Sequence, residues 1–180
     1  MKALLFLLAF AASLVAASCG GPASGSAADS LNRGLQAQNA GKIDEATTAY
    51  YDTLAKDPKN KFALYNLGLI AHRQNRLVAA ESFYRLALEQ DQSMESALFN
   101  LAIVRTNVGA ALEAIALYRK VTAMDPNYAD AHFNLGLVLR GVGQNAEAEQ
   151  ELATAQRLDA KLVAPATSAT PRQSTPSPSR

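Results

Sequence analysis

The order of apolar and polar residues along this chain repeats itself every 34 residues. When residues 27–60, 61–94, 95–128 and 129–162 are set under one another, whole positions fall into register without a gap. Position 6 reads Asn32, Asn66, Asn100, Asn134, and position 8 reads Gly34, Gly68, Ala102, Gly136. Position 20 is Ala46, Ala80, Ala114, Ala148, and position 31 is Asp57, Asp91, Asp125, Asp159. Apolar residues at position 4 (Leu64, Leu98) and position 10 (Ile70, Val104, Val138) recur at helical spacing. Position 15 holds Gly41, Asn75, Gly109 and Gly143, the residue types that accept a left-handed corner. Each segment therefore predicts helix, corner, helix. Ser26 with Asp29 predicts a capping-box start for the first helix, which runs through Leu31, Leu35 and Gln36 to Ala40. Asp44 and Glu45 place negative charge in the first turn of its partner.

Small residues at positions 8 and 20 let two helix backbones approach, and Tyr50, Tyr84 and Tyr118 at position 24 fill the space beside them, with Leu152 departing. Together with the period and the helix-breaking Pro58 and Pro126, these residues resemble the tetratricopeptide repeat. Gln92 and Ala160 replace the proline in the second and fourth segments, and Ser30 and Arg33 depart from the pattern in the first. The resemblance implies an all-α fold: an α-solenoid of four helix-turn-helix units in a right-handed superhelix, its concave face lined by the first helix of each pair. Gln36 is polar where later repeats are apolar, as suits a first helix with nothing packed before it. The last helix carries Asn145, Glu147, Glu149, Gln150 and Glu151 and reads as self-capping, with self-association through this end as the alternative.

The ends differ from the array. Residues 1–18 combine Lys2, a short apolar run and small residues, the pattern of a secretory signal, with the run too short for a comfortable membrane span. Cys19, the single cysteine, follows Ala16, Ala17 and Ser18, which resembles a bacterial lipobox. That likeness implies lipidation of the Cys19 thiol and cleavage before it; ordinary signal cleavage near Ser18 and a retained anchor are the alternatives. Residues 19–26 then form a short tether, the seven from Gly20 to Ser26 reaching about 14 Å. Residues 163–180, rich in proline, serine and threonine, cannot bury a core and read as an extended tail.

Candidate chemistry is sparse. The array from Ala27 to Ala160 has 13 basic and 16 acidic residues, which is no footprint for nucleic acid. No HExxH, CxxC or glycine-rich phosphate loop occurs, and His72 and His132 fall at different repeat positions two repeats apart. The reading is a protein without cofactor, metal or catalytic residues. His132 is expected to pack between helices.

By the family resemblance, the concave face is built from positions 2, 5, 6, 9, 12 and 13. Here these supply Phe62; Tyr65, Phe99 and Phe133; Asn66, Asn100 and Asn134; Leu69, Ile103 and Leu137; His72 and Arg140; and Arg73, with Leu31 and Leu35 from the first repeat. Positions 4, 7, 10, 20 and 24 already provide a buried stripe. The further apolar residues therefore predict a greasy groove suited to a peptide, although position 9 also reads as core. The asparagine amides either pair with the main chain of an extended ligand or bond within the repeat. Leu31 and Leu35 stand where the family's chaperone-tail binders carry Lys and Asn. The expectation is an exported scaffold or assembly factor that binds a protein or peptide. Cys19 would anchor it to the periplasmic face of the outer membrane or the outer face of the plasma membrane. In architecture it resembles repeat lipoproteins of pilus or secretion assembly and adaptors of cell-wall hydrolases. A self-associating envelope protein is the alternative from another class.

Overall fold

The computed structural model describes residues 25–164, so the expected leader, Cys19 and the expected tail from residue 165 on lie outside the described residues. Among the described residues eight helices follow one another: α1 (Ala27–Asn39), α2 (Ile43–Lys56), α3 (Lys61–Arg73), α4 (Leu77–Gln90), α5 (Glu95–Asn107), α6 (Ala111–Met124), α7 (Ala129–Gly141) and α8 (Asn145–Leu158). They form four hairpins, α1–α2 to α7–α8, and each hairpin packs its second helix against the first helix of the next. None of the described helices is long and apolar enough to cross a membrane.

The corners explain two of the recurring positions. Gly41, Asn75, Gly109 and Gly143 all have positive φ, between 57° and 82°. That conformation turns the chain so that the next N–H reaches back five residues: Lys42 donates to the carbonyl of Ala37 at 2.9 Å and Arg76 to that of Ala71 at 2.8 Å. Asn75 is the one non-glycine among them, and asparagine tolerates this region best. Between hairpins, each position-31 aspartate accepts a hydrogen bond from the backbone N–H two residues on. Lys59 donates to Asp57 at 3.2 Å, Ser93 to Asp91 at 3.0 Å, Asn127 to Asp125 at 2.9 Å and Lys161 to Asp159 at 2.9 Å. The aspartate ladder is thus a turn device. At the start of α1 the Ser26 side chain accepts from the Asp29 N–H while the Asp29 carboxylate accepts from the Ser26 N–H, the reciprocal box expected from the sequence.

Position 8 faces position 24 inside each hairpin. A Cβ built on Gly34 would lie 2.5 Å from the Tyr50 ring, on Gly68 2.6 Å from the Tyr84 ring, and on Gly136 2.6 Å from Leu152. In the third hairpin Ala102 and Tyr118 share one core cluster, and α5 and α6 make the least extensive contact of the four pairs. A methyl group stands at that crossing where the other three hairpins have a hydrogen. Ala46, Ala80, Ala114 and Ala148 are fully buried at the same crossings.

The departures in the first repeat form a polar cluster. Ser30 is fully buried, and its hydroxyl accepts from Lys56 Nζ at 2.8 Å and Arg33 Nη2 at 3.1 Å, while Arg33 also pairs with Asp52 at 3.4 Å. A buried hydroxyl with two cationic donors is satisfied. His132, in the same position of the fourth repeat, sits between helices. Its Nδ1 lies 2.6 Å from Glu151 Oε2 of α8 and its Nε2 3.1 Å from the Pro126 carbonyl.

Candidate binding face

The first helices are drawn together along the array: α3 touches α5 and α5 touches α7, whereas no second helix makes a contact of that extent with another second helix. The side chains named from the repeat pattern lie on these first helices, but they are not equally open. Phe62 is 50% exposed, with Lys61 Nζ 5.2 Å from its ring centroid, and Leu35 is 38% exposed. Tyr65, Leu69, Ile103, Phe133, Asn134 and Leu137 are half-buried, and Arg73 is exposed. Leu69 and Tyr65 pack on the core between the second and third repeats, Ile103 on the core between the third and fourth, so position 9 serves packing as well as surface. Phe99 is enclosed by aromatic neighbours, stacked on Tyr128 at 4.8 Å and edge-on to Tyr118 at 5.9 Å.

Both central amides bond within the array. Asn66 is only 7% exposed; its Nδ2 donates to the Phe62 carbonyl at 2.8 Å and its Oδ1 lies 3.4 Å from Gln38 Nε2 of the preceding repeat. Asn100 Nδ2 donates to the Ser96 carbonyl at 2.8 Å and lies 3.2 Å from the Tyr65 hydroxyl of the preceding repeat. These are bonds within the array, one of the two roles open from the sequence.

In the first hairpin position 12 serves the position-24 hydroxyl, a pairing that the sequence pattern did not reveal. Gln38 Oε1 accepts from the Tyr50 hydroxyl at 2.9 Å, whereas the Thr106 hydroxyl of the third repeat donates to the Ala102 carbonyl at 2.9 Å. His72 stands edge-on to Tyr84 at 6.5 Å between centroids, and the Tyr84 hydroxyl is buried without a hydrogen-bond partner. In the fourth repeat, where Leu152 has no hydroxyl, Arg140 instead pairs with Glu149 at 3.0 Å. Burial lowers the His72 pKa and raises those of all three tyrosines, Tyr50 and Tyr118 to about 12. Knowing which side chains share a crossing is what would have exposed this pairing, and a single repeat read alone does not carry it.

A second arrangement missed from sequence joins repeats two and three. Arg105 Nη1 bonds Glu81 at 2.8 Å and Nη2 bonds Glu113 at 2.9 Å, while Arg85 Nε bonds Glu81 at 2.9 Å. Burial pushes the Glu81 carboxyl up, but hydrogen bonds from Arg85 and Arg105 outweigh it and hold the carboxyl below its usual range. Similarly, Arg119 of α6 grips Glu147 of α8 at 2.7 Å. By this register Glu45, the equivalent of Glu113 and Glu147, marks the side on which a preceding repeat would pack. An open cleft of about 700 Å³ lined by Arg33, Gln36, Lys42, Glu45 and Asp52 lies there, on the outer face of the first hairpin. No group of three or more metal-ligating side chains is found among the described residues.

Family models described as tetratricopeptide repeat or TPR repeat match residues 31–95, 112–143 and 129–162. The array is a tetratricopeptide-repeat solenoid. Among solved structures it is similar to MamA, at 22% identity over 75% of this chain and 79% of that one, with a TM-score of 0.69. It is also similar to a tetratricopeptide repeat protein from Parabacteroides merdae, at 24% identity over 75% of this chain and 54% of that one, TM-score 0.67. A third likeness is to an O-GlcNAc transferase from Thermobaculum terrenum, at 26% identity over 63% of this chain but only 22% of that one, TM-score 0.58. These likenesses concern the fold. No curated protein matches the chain in sequence.

Proposed function

We propose that this solenoid is a non-catalytic scaffold that holds a protein or peptide against the face of its first helices. The observation that carries the reading is the run of incompletely buried apolar side chains on that face: Leu35, Phe62, Tyr65, Leu69, Phe133 and Leu137. Each retains apolar surface in contact with water, and a ligand with its own apolar side chains would remove that surface at about 25 cal/mol per Å². Phe62 and Leu35 are the most open and act as the anchor points, with Arg73 as a charged rim. Asn66 and Asn100 fix the helix positions beneath the ligand. The first helices approach one another while the second helices stay apart, which supports a face that curves inward around its ligand.

The same reading places the array in a bacterial cell envelope, tethered through lipidated Cys19 and the short run to Ser26. What supports this is the sequence of residues 1–19 alone. Assembly of an envelope machine or recruitment of a cell-wall hydrolase are the roles such a tethered scaffold would serve.

The test is site-specific photo-crosslinking in the native envelope, with the reactive residue at Phe62 on the proposed face or at Leu86 on a second helix. The expected result is a discrete adduct from position 62 that is absent from position 86 and lost in a Leu35→Asp background. Equal adducts from both positions, or none from position 62, would overturn the reading.

A further inference from the structure

The turn that follows α8 is built like the turns inside the array. The Leu162 N–H donates to the Asp159 carbonyl at 3.0 Å, and the Lys161 N–H donates to the Asp159 carboxylate at 2.9 Å. The same pair of bonds follows Asp57, Asp91 and Asp125, and each of those turns delivers the chain to the start of a first helix, α3, α5 or α7. Val163 therefore stands where Lys61, Glu95 and Ala129 stand in the array, in the row of first-helix starts and next to α7. A fifth first helix is barred by Pro165 and Pro171, which remove backbone donors and favour an extended polyproline form.

Near that point the face is aromatic and acidic. Tyr128 and Phe133 are half-buried, and Phe99 stacks on Tyr128. Glu95 and Asp130 stand in the first turns of α5 and α7, where they suit the helix dipole, and neither pairs with a cation among the described residues. The arginines of these two helices are engaged, Arg105 by Glu81 and Glu113 and Arg140 by Glu149. Lys61 pairs with Asp91, and Lys120 bonds the Gln92 carbonyl. Burial raises the Tyr128 pKa and the charges of Asp130 and Glu95 raise it further, so negative charge dominates at its hydroxyl.

Residues 165–180 are the complement of this surface: they hold four prolines, Arg172 and Arg180, and no Asp or Glu. Extended proline segments dock on aromatic grooves, and arginine pairs with carboxylates. Between Ala164 and Arg172 the chain advances about 3.1 Å per residue, or about 25 Å in all. Helices packed about 10 Å apart put both α7 and α5 within that reach. We propose that residues 165–172 lie across the starts of α7 and α5, with Pro165 and Pro171 against Phe133 and Tyr128 and Arg172 between Asp130 and Glu95. The tail then closes the far end of the face in cis and leaves Phe62 and Leu35 to a partner. Little intrinsic affinity is needed, because a short linker supplies an effective concentration on the order of 1 mM. The inference shares its face with the scaffold reading but requires no external ligand.

The chain has a single cysteine, so Cys19→Ser with Gln173→Cys places one nitroxide beside Arg172 in the full chain. In amide spectra, residues 95–99 and 130–133 are expected to broaden, while Val78 and Leu112, in the first turns of α4 and α6, stay sharp. Arg172→Glu, a substitution in the tail, should reduce the broadening about fivefold, the order expected for reversing one exposed ion pair. Glu95→Lys with Asp130→Lys should restore it in that background. Sharp amides in α5 and α7, or broadening that Arg172→Glu leaves unchanged, would overturn the proposal. Broadening of an isotope-enriched chain without nitroxide, mixed with the nitroxide-bearing chain, would assign the face to the tail of a neighbouring copy and equally overturn it. The measurement contains no partner, so its failure is distinct from failure of the cross-linking test.

Discussion

Arg105 of α5 lies 2.8 Å from Glu81 of α4, at the position where the next interface along the array buries Leu139 with Ile115 in one apolar cluster. The same two repeat positions are therefore filled once by an ion pair and once by hydrocarbon. Charges removed from water are repaid only by good geometry, and apolar replacements of similar size are often neutral or stabilising. Arg105→Leu alone leaves Glu81 with Arg85 as its remaining partner and should destabilise the array by about 1–3 kcal/mol, less than a fully buried pair because both side chains keep some solvent. Adding Glu81→Ile copies the interface between repeats three and four. The double variant is expected to melt within about 1 kcal/mol of the parent, which urea titration of all three proteins checks.

The glycine at position 8 offers a graded test. A methyl group on Gly68 would meet the Tyr84 ring at 2.6 Å, so Gly68→Ala must move either the ring or the helix. Overpacking of this size costs about 1–3 kcal/mol. Ala102 with Tyr118 shows the accommodated form, in which the two helices touch less. Gly68→Leu exceeds what such a shift absorbs, and the second hairpin should lose its protection in amide hydrogen exchange.

Cys19→Ser tests the anchor separately from the array. If Cys19 is lipidated, the serine variant should move from the membrane to the soluble exported fraction, because acyl chains contribute about 0.8 kcal/mol per buried methylene. Helicity should be unchanged. A mature-length serine protein that stays fully with the membrane would refute the lipid claim.

The fold was legible because each repeat restates it. Position 8 against position 24 and the left-handed corner at position 15 follow from residue types alone, since only small residues fit the crossing and only Gly or Asn suits the corner. What escaped the sequence were contacts between residues in different helices. Asn66 reads as a groove amide by position, yet it is 7% exposed because Gln38 of the neighbouring repeat and its own helix carbonyl claim it. Phe99 reads as an open aromatic, yet Tyr128 covers it, and Tyr128 stands where the other repeats have Asn60, Met94 and Leu162. The repeat template contains no column for such one-off partners.

Alkaline stability follows from the buried tyrosines. Burial raises the pKa of Tyr50 and Tyr118 to about 12 and that of Tyr84 as well, so the folded state holds these protons more tightly than the unfolded chain, whose tyrosines titrate near 10. Stability from this source is complete below pH about 10 and is lost as pH rises through the folded value near 12. Helicity followed by circular dichroism should collapse in that window together with the rise in tyrosinate absorbance. Two substitutions at one repeat position should then differ in sign. Tyr50→Phe removes the bond to Gln38 and costs about 1 kcal/mol, whereas Tyr84→Phe removes a buried hydroxyl without a partner and should be neutral or gain up to about 1 kcal/mol.

Asn66→Ala and Asn100→Ala decide what the asparagine ladder does. Asn66 is the more buried of the two and has two partners, the Phe62 carbonyl and Gln38; Asn100 bonds the Ser96 carbonyl and approaches the Tyr65 hydroxyl. A buried hydrogen bond contributes about 0.5–1.5 kcal/mol net, so each substitution should lower stability by about 1 kcal/mol, with Asn66→Ala the more costly. The two residues lie in neighbouring repeats without a shared partner, so the losses should add to about 2 kcal/mol in the double variant. Thermal unfolding of the four proteins measures this directly. The ligand face is predicted to respond differently: Phe62→Ala, at a half-exposed side chain, should leave the melting curve within about 0.5 kcal/mol of the parent while abolishing the adduct formed from a neighbouring cross-linker. A double asparagine variant that melts like the parent would return those amides to the ligand, and a Phe62→Ala protein that unfolds as readily as Gly68→Leu would make that ring part of the fold.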